Sequence, residues 1–136
     1  MDCIFCKIVK GEIDSAKVLE NDKVLAFLDV NPVAKGHCLV IPKMHFENIF
    51  DITDEILGEV IFLAKYISEN LKNSFETEGI NLVQSSGSKA GQAIFHFHLH
   101  IIPRYQGDLL GHPFDNAEKG KTTLEELKKI ADKIHP

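Results

Sequence analysis

The stretch Ala-Ile-Phe-His-Phe-His-Leu-His-Ile-Ile, residues 93–102, alternates histidine with large apolar residues through its centre. A repeat of two is the signature of a β-strand, whose successive side chains point to opposite faces. A helix would scatter the same residues around its axis. The pattern predicts a strand over 93–102, stopped by Pro103. Phe95, Phe97, Leu99 and Ile101 share one face, and His96, His98 and His100 the other. Residues two apart on a strand are about 6.5–7 Å apart, so the imidazoles form a line backed by an apolar layer. Three readings are open. The line is a polar outer face, or a three-histidine zinc site, since His-x-His on one strand can grip one metal. Or one imidazole is a nucleophile toward phosphorus while its neighbours hold the phosphate oxygens.

Such a strand needs partners, and the rest of the chain supplies them. Residues 16–20 and 23–29 are short β-like runs joined by Asn21-Asp22, a hairpin signal. After turns at Asn31-Pro32 and Lys35-Gly36, residues 37–42 form a third strand ended by Pro42, and residues 80–84 a fourth. Between them Ile56, Val60, Leu63, Ala64, Ile67, Leu71 and Phe75 recur every three to four residues, an amphipathic helix with Thr53 as N-cap and Gly79 closing it. Thr123-Leu-Glu-Glu126 is a capping box that opens a short C-terminal helix. Residues before Gly11 show no clear period. The short connections favour an antiparallel sheet. The class expected is α+β: about five antiparallel strands, one long helix and a short C-terminal one.

The length of 136 residues fits one domain over 1–136, with the core in 3–105 and an extension over 106–136. A net charge of −5 gives no footprint for nonspecific nucleic-acid binding. No run reaches the ~20 apolar residues that span a bilayer, and the start does not read as a signal peptide. The expectation is a cytoplasmic chain with neither nucleic acid nor membrane as partner.

Two further features bear on the histidines. Ser85-Ser-Gly-Ser-Lys-Ala-Gly-Gln92 leads into the histidine strand, and such a loop can turn several N–H groups toward an anion. Gly87 and Gly91 allow positive φ or close approach of a ligand. This favours phosphate at the imidazoles. The second feature is Cys3-Ile-Phe-Cys6, a spacing suited to zinc or redox work. Two cysteines alone fall short of the four ligands of a structural zinc site. The odd cysteine, Cys38, reads as a buried strand residue, and an odd count argues against a disulfide framework.

His96-Phe-His98-Leu-His100-Ile-Ile102 resembles the signature of the histidine triad family, His-φ-His-φ-His-φ-φ with φ apolar. The flanking Ala-Gly-Gln and Ile-Pro-Arg, with CIFCKI, AFLD and GHCLVIPKMH upstream, resemble its Hint-like branch. The resemblance implies a homodimer that binds purine nucleotides and breaks a bond at the α-phosphate. It implies a nucleoside phosphoramidase or, alternatively, a dinucleoside polyphosphate hydrolase or a nucleotide sensor with little catalysis. Carried onto this chain, it makes His98 the nucleophile and gives the equatorial oxygens to His100, Gln92 and the backbone near Gly91. Phe5, Ile8, Phe27 and Val30 would enclose the base, though read alone they are equally plain core residues. Asp29 would accept hydrogen bonds from the ribose, though its place before Asn31-Pro32 also suits a turn. The same resemblance maps a structural zinc site onto Cys3, Cys6, His45 and His96, which leaves His98 free to attack. Two positions that the resemblance places against the phosphate or leaving group depart from the pattern: Ser85, a nucleotide-binding residue that still donates a hydrogen bond, stands where many relatives carry Asn, and Ala93, which cannot donate one, where many carry Ser.

Overall fold

A computed structural model describes residues 2–116 and 122–134. Helix α1 (Ile4–Val9) leads into strands β1 (Lys17–Glu20), β2 (Val24–Leu28) and β3 (Cys38–Pro42). Helix α2 (Asp54–Phe75) precedes β4 (Gly79–Val83) and β5 (Leu99–Arg104), and α3 (Leu124–Ala131) follows. The strands form one sheet in the order β1-β2-β3-β5-β4, every neighbouring pair antiparallel. The α+β expectation holds, with five strands and, among the described residues, three α-helices, α1 being the one not expected.

The local causes are mostly those the residues announce. The Asn21 carboxamide oxygen accepts from the Lys23 and Val24 amides at 2.8 and 3.0 Å and closes the first hairpin. Thr53 caps α2 by accepting from the Ile56 amide, and Thr123 caps α3 by accepting from the Glu126 amide. α2 ends earlier than Gly79 suggests. Glu76 takes the left-handed conformation at φ 54°, and Gly79 opens β4 instead. Gly36 sits at φ +89°, a conformation strained for any other residue, and a Cβ there would lie 2.9 Å from Leu71 Cδ2, which would have to shift.

β2 and β3 are buried throughout, so both sheet faces are covered there. Val24, Ala26, Leu28, Cys38, Val40, Phe97, Leu99 and Ile101 join the apolar stripe of α2 and residues of α3 in the main core. Leu25, Phe27, Leu39 and Ile41 point the other way, into a smaller cluster closed by Cys3, Phe5 and Ile8. His100, between Leu99 and Ile101, belongs to that second side.

The histidine segment departs from its expected extent. The ladder begins at Leu99, so only His100 of the three lies in β5. Phe97 N–H donates to Phe46 O at 2.7 Å instead, and Phe95 is exposed. Nor does Pro103 stop the strand. It pairs with Ile80, and β3 begins at Cys38 opposite Ile101, so β5 has no partner on that side where the proline falls.

Candidate functional site

Helix α1 is too short to reveal a period, yet it builds one wall of the site. Cys3 is its N-cap, and the Cys3 sulfur accepts from the Cys6 amide at 3.4 Å. Phe5 and Ile8 anchor the helix against Leu25, Phe27, Leu39 and Ile41. This docking carries both thiols to His45 and His96. Cys3 Sγ lies 3.4 Å and Cys6 Sγ 3.5 Å from His96 Nδ1; Cys6 Sγ lies 3.3 Å from His45 Nδ1; the two Nδ1 atoms are 3.1 Å apart.

The segment bearing His45 is fixed in turn. Asp51 accepts from the Glu47 and Asn48 amides at 2.9 and 2.8 Å, while Gln92 donates to Glu47 O at 2.7 Å. His96 Nε2 stands 2.8 Å from Pro42 O. A carbonyl only accepts, so that nitrogen carries the proton and Nδ1 turns its lone pair to the sulfurs. Four donor atoms thus converge, with the His96 lone pair turned toward them. In a tetrahedral zinc site neighbouring nitrogens lie about 3.3 Å apart, and nitrogen and sulfur about 3.5 Å apart. The donors fit a metal ion of that kind, and Cys3, Cys6, His45 and His96 could hold one.

His98 is set by the same rule. Its Nδ1 lies 2.8 Å from His96 O and so donates, leaving Nε2 with a free lone pair. The Phe5 ring meets the imidazole edge-on at 5.2 Å between centroids. Burial pulls the His98 pKa below its ordinary value, against the hydrogen bond to His96 O, which raises it. A neutral imidazole with one nitrogen pinned and the other free can act as a nucleophile.

His37 receives no role from the sequence pattern, yet it orders the third histidine. The Val33 amide donates to His37 Nδ1 at 3.1 Å, so the neutral ring carries its proton on Nε2. That nitrogen is 2.9 Å from His100 Nδ1 and 3.5 Å from Asp29 Oδ2, and the shorter contact takes the proton. His100 accepts on Nδ1 and keeps its own proton on Nε2. Burial holds both rings neutral, with pKa values pushed down to about 4 for His37 and about 3 for His100. Asp29, His37 and His100 lie close enough to suggest a second metal site. The Val33 amide argues otherwise, because it commits the facing His37 nitrogen to a proton. The group is a hydrogen-bond relay running from a backbone amide to His100. Sixty-three positions separate the two rings, so no local signal could have paired them.

The remaining expected residues divide. Phe5, Ile8 and Phe27 are buried together beside the histidines, whereas Val30 is 60% exposed. Asp29 serves its turn through Oδ1, which accepts from the Asn31 amide at 2.9 Å, while Oδ2 faces His37. Burial raises the Asp29 pKa, with the Asn31 amide opposing. Gly91 adopts φ 94° at the end of a 3₁₀ turn. Gln92 is occupied: its Oε1 accepts from the Gly87 amide at 2.8 Å and its Nε2 donates to Glu47 O and Ile94 O. In this structure the Gln92 carboxamide braces the loop. Ser85 lies in that loop after β4, and Ala93 lines a cleft of about 680 Å³ with Ile4, His45, Glu47 and Phe95. Phe114, also unforeseen, stands edge-on to His100 at 5.1 Å between centroids.

The HIT domain family model matches residues 10–107. The protein hit of Bacillus subtilis is 50% identical over 111 residues, 81% of this chain and 77% of that protein. An adenosine 5′-monophosphoramidase of Candida albicans is 42% identical over 139 aligned positions, 97% of this chain and 88% of that protein. The crystal structure of a HIT-like protein from Bartonella henselae superposes with a TM-score of 0.87 at 38% identity, covering 98% of this chain and 94% of that one. A zinc-bound histidine triad family protein from Mycobacterium smegmatis gives 0.84 at 29% identity, with the same coverage. Motif, fold and relatives agree: the chain belongs to the histidine triad (HIT) family.

Proposed function

We propose that this protein is a nucleotide hydrolase of the phosphoramidase type, acting at the α-phosphorus of a purine nucleoside monophosphate joined to an amine. The observation that carries the reading is the 2.8 Å contact between His98 Nδ1 and His96 O, which leaves Nε2 unprotonated beside a protonated Nε2 on His100. His98 Nε2 attacks phosphorus, and the phosphorus–nitrogen bond breaks with its electron pair going to the nitrogen, which takes a proton from solvent and leaves as the amine. Water then cleaves the nucleotidyl-histidine, so one hard displacement becomes two easier ones. His100 donates to an equatorial oxygen as charge builds there. Asp29 Oδ2 takes the ribose hydroxyls, and Phe5, Ile8 and Phe27 flank the base. The named activity of the Candida relative supports this class.

Zinc at Cys3, Cys6, His45 and His96 completes the reading. The ion supplies a rigid tie between α1, the segment after β3 and the histidine run, and its folding contribution comes with it. The zinc-bound mycobacterial relative supports the assignment. A homodimer is also proposed, because β4 is an edge strand with Leu82 exposed, and α2 leaves Ile61 and Phe62 in solvent. Light scattering should give twice the chain mass; a monomer at micromolar concentration rejects it.

The catalytic proposal is tested with an adenosine phosphoramidate. Quenched turnover should show an adenylyl group on His98, and His98→Gln should lose at least ~10³-fold in kcat/KM. A variant that keeps wild-type turnover ends the proposal.

A further inference from the structure

The CxxC pair has chemistry that holding a metal does not exhaust. We propose that Cys3 and Cys6 are an oxidative modification site: peroxide converts them into a disulfide, expels the bound metal and releases α1 from the nucleotide site. This rests on the zinc reading above.

The geometry is favourable. The two thiols sit three residues apart at the start of one short helix, Cys3 as N-cap and Cys6 within the first turn. Their sulfurs belong to a group of ligand atoms all within 4.8 Å of one another. A disulfide needs about 2.05 Å between sulfurs and about 3.8 Å between Cβ atoms, a closure within reach of side-chain rotation and a small shift of one turn. Cys6 is part-exposed and open to a small oxidant, while Cys38 is buried within the sheet. Oxidation therefore has one intramolecular outcome.

The step balances. Each thiolate gives up one electron to form the sulfur–sulfur bond. Hydrogen peroxide takes both electrons and two protons and leaves as two waters. The metal departs as its dication, because disulfide sulfur no longer offers thiolate donors. Phe5, between Cys3 and Cys6, is the residue whose ring meets His98. Metal release leaves α1 held by apolar packing, chiefly of Phe5 and Ile8, so the ring beside the nucleophile loses its fixed position.

The full-length, zinc-loaded protein is titrated with hydrogen peroxide in the presence of a chromogenic zinc chelator. Intact mass, free thiols and binding of a non-hydrolysable AMP analogue are followed in parallel. Zinc should be released in step with loss of two hydrogens from the mass. One of the three thiols should remain, on Cys38, and analogue affinity should fall. Reductant with added zinc should restore all three readings, and Cys38→Ser should behave as wild type while leaving no thiol. Protein isolated without zinc overturns the metal reading and the release step with it. Zinc-loaded protein that keeps its metal and its thiols under peroxide overturns the oxidation alone. So does a disulfide that includes Cys38 or joins two chains.

Discussion

The two faces of the sheet are built on different principles. On the α2 side, a 22-residue helix and α3 cover an apolar core with long aliphatic side chains. On the α1 side, a six-residue helix closes a cluster of seven buried residues, and beside it stand His37, His45, His96, His98 and His100. The first face is held by burial, which is additive and tolerant of exchange. The second is held by directed contacts: thiol and imidazole donor atoms gathered at one point, and ring nitrogens pinned by single carbonyls or amides. The larger apolar core lies on one side and the histidines on the other, separated by the thickness of one sheet.

The sharpest way to break that contrast is to cut equally on both sides. Ile67→Ala, at a fully buried position of α2, should cost about 2–5 kcal/mol in denaturant unfolding and leave the KM of the folded fraction unchanged. Ile8→Ala removes the same atoms from α1. It should cost less global stability, because so short a helix can undock before the sheet unfolds, and it should raise KM. Equal losses from the two variants would show that the faces fold as one unit.

The second test uses acid. The folded His37 pKa of about 4 lies below the unfolded value of about 6.5. Between these values the unfolded chain binds the proton and the folded one does not. The stability His37 contributes is therefore complete above pH 6.5 and falls as pH drops toward 4. At pH 5 the loss is about 2 kcal/mol, 1.5 pH units at 1.36 kcal/mol each. His37→Gln should flatten the difference in unfolding free energy between pH 7 and pH 5 by that amount. Ile67→Ala should shift both values equally, since it touches no titrating group. A His37→Gln protein as acid-sensitive as wild type would remove His37 from the account.

These contrasts follow the division between what the residues announce and what they do not. The α2 face is legible because its signals are periodic. The seven apolar positions from Ile56 to Phe75 all meet the main core, and Thr53 caps where its neighbours say it should. The alternation of residues 96–101 correctly sorts histidine from apolar side chains, because side-chain direction persists where ladder hydrogen bonds do not. The α1 face is less legible because its order is long-range. α1 is one and a half turns, too few for a period to show. The His37–His100 contact and the brace from Gln92 to Glu47 O join segments 63 and 45 positions apart. The strand start at Leu99 is hidden for the same reason: the Phe97 amide is claimed by Phe46 O, a partner no local pattern reveals.

The smallest test asks whether the two faces can be tuned apart. Glu76 occupies the left-handed region at φ 54°, where a Cβ crowds the following carbonyl. It does so because α2 must turn within a few residues to place Gly79 opposite Arg104 and start β4. Glycine meets no such clash, and the position after a helix is where its unfolded-state entropy cost is best offset. Glu76→Gly should therefore raise unfolding free energy by about 0.5–1 kcal/mol. β4 pairs with β5 as far as Val83 and His100, so the change enters the sheet with β5 and β3 standing between it and β2, on which α1 packs through Leu25 and Phe27. Turnover at pH 7 should stay at its wild-type value. A gain in stability bought at the cost of kcat would mean that slack at the end of α2 reaches His98, and that the two faces, chemically distinct, are mechanically one.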